Sequence, residues 1–427
     1  MPSIESVHRG YFNSYNQLVS DKSGKLERVI ALVKLISFAT IVIPLALSLA
    51  YNISKVVKRV QNPDYSLLFE RGINGSLGES FASIPSPFPD LEDYIGKMQA
   101  RGDADRKKKA ILFSRALRLF QEKRGRRSLE TACFSSSEAK NYRLDASHSP
   151  EYFKRGFTSR NLKVETKSSF YDYDSRRQPF EHYWVDFANT SLGGGALSHG
   201  FVQEEIMAAE MPEFADHLAS NLDRNGKSKI HTRRSFSSAW LLSSPNVERV
   251  MEGSPTPYLM KGLLRVQAID TSRTYGDKFR NISERDLEAA ISPLPQPQEV
   301  NVLAIAAPRL FTRNLNEQAD LRTIKDLFNT AVAGFSLAKK NTVPEKSCLI
   351  HTGPIGCGVF NHCPVIAFLV QYLAAQHVNV EVDFYGCNKN TASKALKIWN
   401  KMRPQIEGKS IEFCLEVLKK EARLELF

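Results

Sequence analysis

From about residue 160 to the C-terminus, short apolar runs alternate with glycine-rich loops and amphipathic stretches. The segment "HYWVDFAN" (His182–Asn189) reads as a strand that runs into a glycine loop. "YLMKGLLRVQAID" ends in an apolar strand at Val266 to Ile269, and "EVNVLAIAAP" (Glu299–Pro308) is a buried strand followed by a breaker. "RTIKDLFNTAVAGFSLAKK" has the periodicity of an amphipathic helix. "SCLIHTGPIGCGVF" is a strand entering a second glycine loop, "CPVIAFLVQYLAAQ" is a largely apolar helix, and "VNVEVDFYG" is another strand. Strand, glycine loop and helix recur in that order. This predicts an α/β layered domain with ligand-binding loops at the carboxyl ends of its strands.

The N-terminal part is different. Leu35 to Ser54, "LISFATIVIPLALSLAYNIS", carries no charge over 20 residues, with Lys34 on one side and Lys55, Lys58 and Arg59 on the other. As a helix it would rise about 30 Å, the thickness of a bilayer's hydrocarbon core. Pro44 at its middle is tolerated in membranes. A membrane anchor or hairpin is the leading expectation, with a signal sequence or a buried helix as alternatives. Residues 61 to 100 are rich in Pro, Ser and Gly and read as a linker. Arg101 to Arg127 holds eleven Lys or Arg against three Asp or Glu, a local charge of +8. Ile111, Leu112, Ala116, Leu119 and Phe120 recur at helical spacing there, so an amphipathic basic helix is expected, its charged face in solvent or against an anionic surface. The expected division is 1–60 with the anchor candidate 35–54, a linker and basic helical region over 61–160, and the α/β domain over 161–427.

Composition narrows the picture. With 427 residues, 42% of them hydrophobic, the chain can bury a large core, which excludes wholesale disorder. The net charge of +12 favours anionic partners without choosing among them. The six cysteines form no C-x-x-C pair and no Cys/His spacing that suits zinc. In a chain this size they read as reduced thiols, which places the α/β domain in a reducing compartment.

The candidate chemistry lies in "VDFANTSLGGGALSHGFVQEE" (Val185–Glu205). Gly193, Gly194 and Gly195 precede Gln203, Glu204 and Glu205 by seven residues. Glycine lets backbone N–H groups approach a ligand, and a helix starting near Val202 would add its positive end. Glu204 and Glu205 sit among Phe201, Val202 and Ile206, so at least one carboxyl faces partly buried surroundings. Burial and a like charge raise a carboxyl pKa, as a general acid in glycoside cleavage requires. Neighbouring residues cannot flank a sugar from both faces, so one acid/base is expected, with the second carboxylate holding hydroxyls. In the second loop, "GPIGCGVF" (Gly353–Phe360), the N–H groups of Gly356, Cys357 and Gly358 could cradle a diphosphate. "NGKS" (Asn225–Ser228) is not a P-loop, because Asn221 stands where the first glycine is needed.

Taken together, D-F-A-N, three glycines, Q-E-E and G-C-G-x-F in this order resemble the poly(ADP-ribose) glycohydrolases, over about residues 165 to 390. The resemblance implies a macrodomain-type α/β/α sandwich with a mixed sheet, and hydrolysis of poly(ADP-ribose) or ADP-ribosylated protein without a cofactor. It implies Glu205 as acid/base and Glu204 as the holder of ribose hydroxyls. Asn189 would contact the distal ribose, and Asp186 would order the site. Gln203 and Gly193 to Gly195 would line the nucleotide, and Gly356, Cys357, Gly358, Val359 and Phe360 would hold the diphosphate. Tyr385 would pack on the distal ADP-ribose. One departure is plain: the tyrosine-rich segment that packs on adenosine in the animal enzymes reads "SKIHTRRSFSSAWLLSSPNVERV" here, with no tyrosine; Phe236 and Trp240 are candidate substitutes that spacing does not select. The implied partners are ADP-ribosylated molecules and, through residues 35–54, a membrane; direct nucleic-acid binding is not expected. The mixture of animal-like and bacterial-like motifs is compatible with a secreted effector of an intracellular bacterium.

Overall fold

The structure, a computed structural model, describes residues 88–123, 133–134, 166–167, 171–224, 226–233, 255–310, 314 and 318–426. The anchor candidate 35–54 and linker residues 61–87 lie outside the described residues. Among the described residues, no helix is long and apolar enough to cross a membrane.

The helices in chain order are α1 (Pro89–Arg101), α2 (Ala104–Lys123), α3 (Gln203–Glu210), α4 (Pro212–Ser220), the short α5 (Thr271–Thr274), α6 (Asp277–Asn281) and α7 (Glu284–Ala289), then α8 (Leu321–Lys340), α9 (Pro364–Val378), α10 (Lys389–Ile406) and α11 (Ile411–Leu426). The strands are β1 (Cys133–Phe134), β2 (Thr166–Lys167), β3 (Phe180–Asp186), β4 (Tyr258–Ile269), β5 (Ile291–Ala304), β6 (Ser347–Thr352) and β7 (Glu381–Tyr385), in the sheet order β1-β4-β5-β3-β6-β7-β2. Pairing is parallel from β5 through β3, β6 and β7 to β2 and antiparallel at β4–β5 and β1–β4, so the sheet is mixed, as expected.

Side chains alternate across the central strands and build two cores. Tyr183 and Val185 of β3 and Leu303 of β5 pack with α8, α9, α10 and α11 on one face. Trp184, Val302 and Ala304 pack with α1, α2, α3 and α4 on the other. The result is the α/β/α sandwich. β5 starts earlier than its apolar run suggests, because Pro293, Pro295 and Pro297 continue it. These alternate prolines lack N–H groups on one edge, and β3 joins β5 only from Asn301 onward.

α1 and α2 belong to this body. α1 opens with Pro89 at its first turn and Asp90 and Glu92 beside its positive end. On α2, Leu112, Ala116, Leu119 and Phe120 are buried as the periodicity predicts, joined by Phe113 and Leu117. The basic run differs from a solvated face in one respect. Lys108 and Lys109 are buried, and Lys108 Nζ donates to the carbonyls of Phe279 (3.1 Å) and Arg280 (2.8 Å). Cys348, Cys357, Cys363, Cys387 and Cys414 are unpaired thiols.

Candidate active site

β3 delivers the chain to the site, and α3 leaves from it. Gln203 joins the two: its Oε1 accepts the Phe187 N–H (2.9 Å) and its Nε2 donates to the Val185 carbonyl (2.9 Å). Its amide therefore braces the strand end against the helix start. Glu205, third in α3, turns back so that Oε2 accepts the Val202 N–H (2.8 Å), which satisfies a donor left open at the helix entry.

The glycine loop wraps the paired acids. Glu204 accepts N–H groups from Gly193 (2.5 Å) and Asn189 (3.1 Å), one on each oxygen. Glu205 Oε1 accepts the Gly195 N–H (2.9 Å). Gly194 has φ +42°, and a Cβ there would collide with Glu204 Oε2; a Cβ on Gly195 would collide with the His199 carbonyl and crowd Glu205 Oε1. The glycines are needed first by the carboxylates, which a side chain in the loop would displace. This corrects part of the expectation. Gly194 and Gly195 line the cavity, whereas Gly193 (φ +92°) turns toward Leu218 and reaches the site through its N–H to Glu204.

The cavity measures about 990 Å³ and lies between the two glycine loops. Of the expected residues, Asn189, Gly194, Gly195, Gln203, Glu204, Glu205, Gly356, Cys357, Gly358, Val359, Phe360 and Tyr385 line it, while Asp186 lies buried behind the wall. In the second loop, Gly356 (φ +70°) packs against Ala307 and His362 where no Cβ fits. The Cys357 N–H is engaged by the Pro354 carbonyl (3.0 Å). The N–H groups of Gly358, Val359 and Phe360, three of the five residues expected to hold the diphosphate, meet no acceptor among the described residues. Tyr385 is 3% exposed, and its hydroxyl donates to Asp172 (2.7 Å), so it offers a ring to the cavity and no free hydroxyl.

Periodicity and motif order did not reveal Tyr171, Phe187, Tyr275 and Lys278, which also line the cavity. Tyr171 packs edge-on to Tyr385 (centroids 5.1 Å), and its hydroxyl donates to the Val185 carbonyl (2.7 Å). Phe187, the aromatic of D-F-A-N, was visible in the sequence without a role. Tyr275 lies in the connection after β4, where nothing in the local pattern marks it. Phe236 and Trp240 lie outside the described residues.

Three acids converge here. Burial, reinforced by Glu205, pushes the Asp186 carboxyl well above the usual range. Burial, then the charges of Asp186 and Glu205, does the same to Glu204, against the pull of the N–H groups of Gly193 and Asn189. Burial of this kind favours the protonated form of a carboxyl, the form that donates hydrogen bonds or protons to a ligand oxygen.

The family model described as "Poly (ADP-ribose) glycohydrolase (PARG), Macro domain fold" matches residues 156–239 and 261–394, about half of the chain. Among solved structures, the poly(ADP-ribose) glycohydrolase of Deinococcus radiodurans in complex with ADP-ribose is similar at 15% identity and a TM-score of 0.36, covering 72% of this chain and 97% of that one. The apo form of the same enzyme gives 13% identity and a TM-score of 0.30 over the same shares. No curated protein matches the sequence. The chain belongs to the poly(ADP-ribose) glycohydrolase family, glycosidases whose catalytic domain has the macro domain fold.

Proposed function

We propose that this protein hydrolyses the ribose–ribose O-glycosidic bonds of poly(ADP-ribose) or ADP-ribosylated protein and releases ADP-ribose, with Glu205 as general acid and then general base. Glu205 protonates the leaving ribose oxygen as the glycosidic bond breaks through an oxocarbenium-like state. Its carboxylate then takes a proton from the water that adds to the sugar carbon. Glu204 holds ribose hydroxyls, and the open N–H groups of Gly358 to Phe360 take the diphosphate. The observation that carries this reading is the pair of acids on the cavity wall, each fixed by backbone N–H groups of the glycine loop.

Glu205→Gln keeps the shape and removes the transferable proton. It is expected to lower release of labelled ADP-ribose from polymer by about 10²–10⁴-fold, with ADP-ribose binding by calorimetry retained. Wild-type-like turnover by that variant sinks the assignment. Binding by the native protein with no release from polymer or mono-ADP-ribosylated protein makes it a reader instead. The membrane reading of residues 35–54 rests on their charge-free length. Membrane fractionation of the full chain beside residues 61–427 checks it.

A further inference from the structure

Lys109 is 1% exposed, yet its ammonium points at the catalytic loop. It comes from α2, outside the stretches matched by the family model. Its Nζ donates to the Gly195 carbonyl (2.5 Å), and the N–H of the same Gly195 donates to Glu205 Oε1 (2.9 Å). One glycine thus joins a buried cation to the acid/base.

The charges around Lys109 come from several elements. Burial lowers its pKa to about 8, opposed by attraction from Glu205 on α3, Asp105 on α2 and Asp103 before it, while Arg106 lowers it further. Asp103 also faces His199 Nδ1 (3.6 Å), and Asp105 faces Arg280 Nε (4.0 Å). When Glu205 gives up its proton it becomes an anion beside the buried Asp186 and Glu204. A buried cation nearby offsets that charge at the moment it develops.

We propose that Lys109 is a positioning residue for hydrolysis: from a helix outside the matched domain it fixes the Gly195 peptide and supplies the positive charge against which Glu205 works. The proposal rests on the reading of Glu205 as acid/base. It differs from a purely structural role, because loss of the charge must slow turnover without weakening substrate binding.

The test compares full-length wild type, Lys109→Met, Lys109→Arg and Glu205→Gln on labelled poly(ADP-ribose) from pH 6 to 9.5, with calorimetry of ADP-ribose binding and thermal melts. Lys109→Met is expected to lower kcat by about 10–100-fold with KM and ADP-ribose Kd within about threefold. Wild-type kcat falls as pH rises through about 8, and Lys109→Arg, which keeps its charge, lacks that limb. A wild-type kcat in Lys109→Met, or kcat and binding lost together, overturns the proposal. Should Lys109→Met fail to fold, the pH profiles decide: an alkaline limb unchanged in Lys109→Arg overturns it equally. Full activity in Glu205→Gln overturns the acid/base reading itself. An inactive Glu205→Gln beside a fully active Lys109→Met overturns only the role of Lys109.

Discussion

Asp186 is completely buried, and neither of its carboxyl oxygens meets a hydrogen-bond donor among the described residues. Burial and the Glu205 charge raise its pKa. The folded chain therefore keeps a proton that the unfolded chain releases above about pH 4. Stability falls with rising pH wherever the unfolded state binds fewer protons, so this contribution is full below about pH 4 and is lost as pH rises through the folded pKa. Glu204 shifts in the same direction. Asp186→Asn carries no charge at any pH. It is expected to raise the melting temperature at pH 8 by the equivalent of about 1–3 kcal/mol, with the gain vanishing toward pH 4. Melts of both proteins across that range check it; a lower melting point at pH 8 shows that the native carboxylate has a stabilising partner. A group this unfavourable to stability, next to a second buried carboxyl on a cavity wall, is typical of a site selected for chemistry.

The glycine loop makes its own prediction at the scale of the element. A methyl on Gly195 would collide with the His199 carbonyl and press on Glu205 Oε1, so the backbone must shift and its N–H must leave the carboxylate. Gly195→Ala is expected to destabilise by about 1–3 kcal/mol and to lower kcat at least about 10²-fold. A methyl on Gly358 would meet nothing within 4 Å, so Gly358→Ala is expected to leave the melting temperature within about 0.5 kcal/mol of wild type. Equal effects from the two substitutions would rule out a tight loop around the acids. The elements that the sequence made legible are those whose periodicity is set by burial: α8, α9, β6, β7 and the buried stripe of α2. Motif order made both glycine loops and the paired acids legible. Less was visible where a residue type contradicted its place. The prolines of β5 hid a strand, and Lys108 and Lys109 read as solvent-facing because lysine is rarely buried. Tyr275 and the glycine-to-carboxylate contacts depend on tertiary approach, which spacing along the chain does not encode.

At the scale of the molecule, the question is whether α1 and α2 are an appendage or part of the catalytic body. All described residues fall in one compact unit, Pro85–Phe427. Phe113 and Phe120 of α2 share a core with Trp184, Val302 and Phe214. The Leu112 carbonyl accepts from Gln267 of β4 (3.2 Å), and Lys109 donates to the Gly195 carbonyl of the glycine loop. Phe120 is 1% exposed and meets Phe88 edge-on at 4.9 Å. Phe120→Ala removes a ring from a packed site that can relax only in part, at a cost of about 3–5 kcal/mol. Because the core is shared, that loss falls on the whole unit. Chemical denaturation of the variant is expected to remain one transition at lower denaturant, with tryptophan fluorescence and hydrolytic activity lost together. An appendage would behave otherwise: the helical signal would melt first, while fluorescence from Trp184 and turnover persisted. Coincident loss would also explain why a helix pair outside the matched domain carries a buried lysine to the active site, since the loop that holds Glu205 is built against that helix.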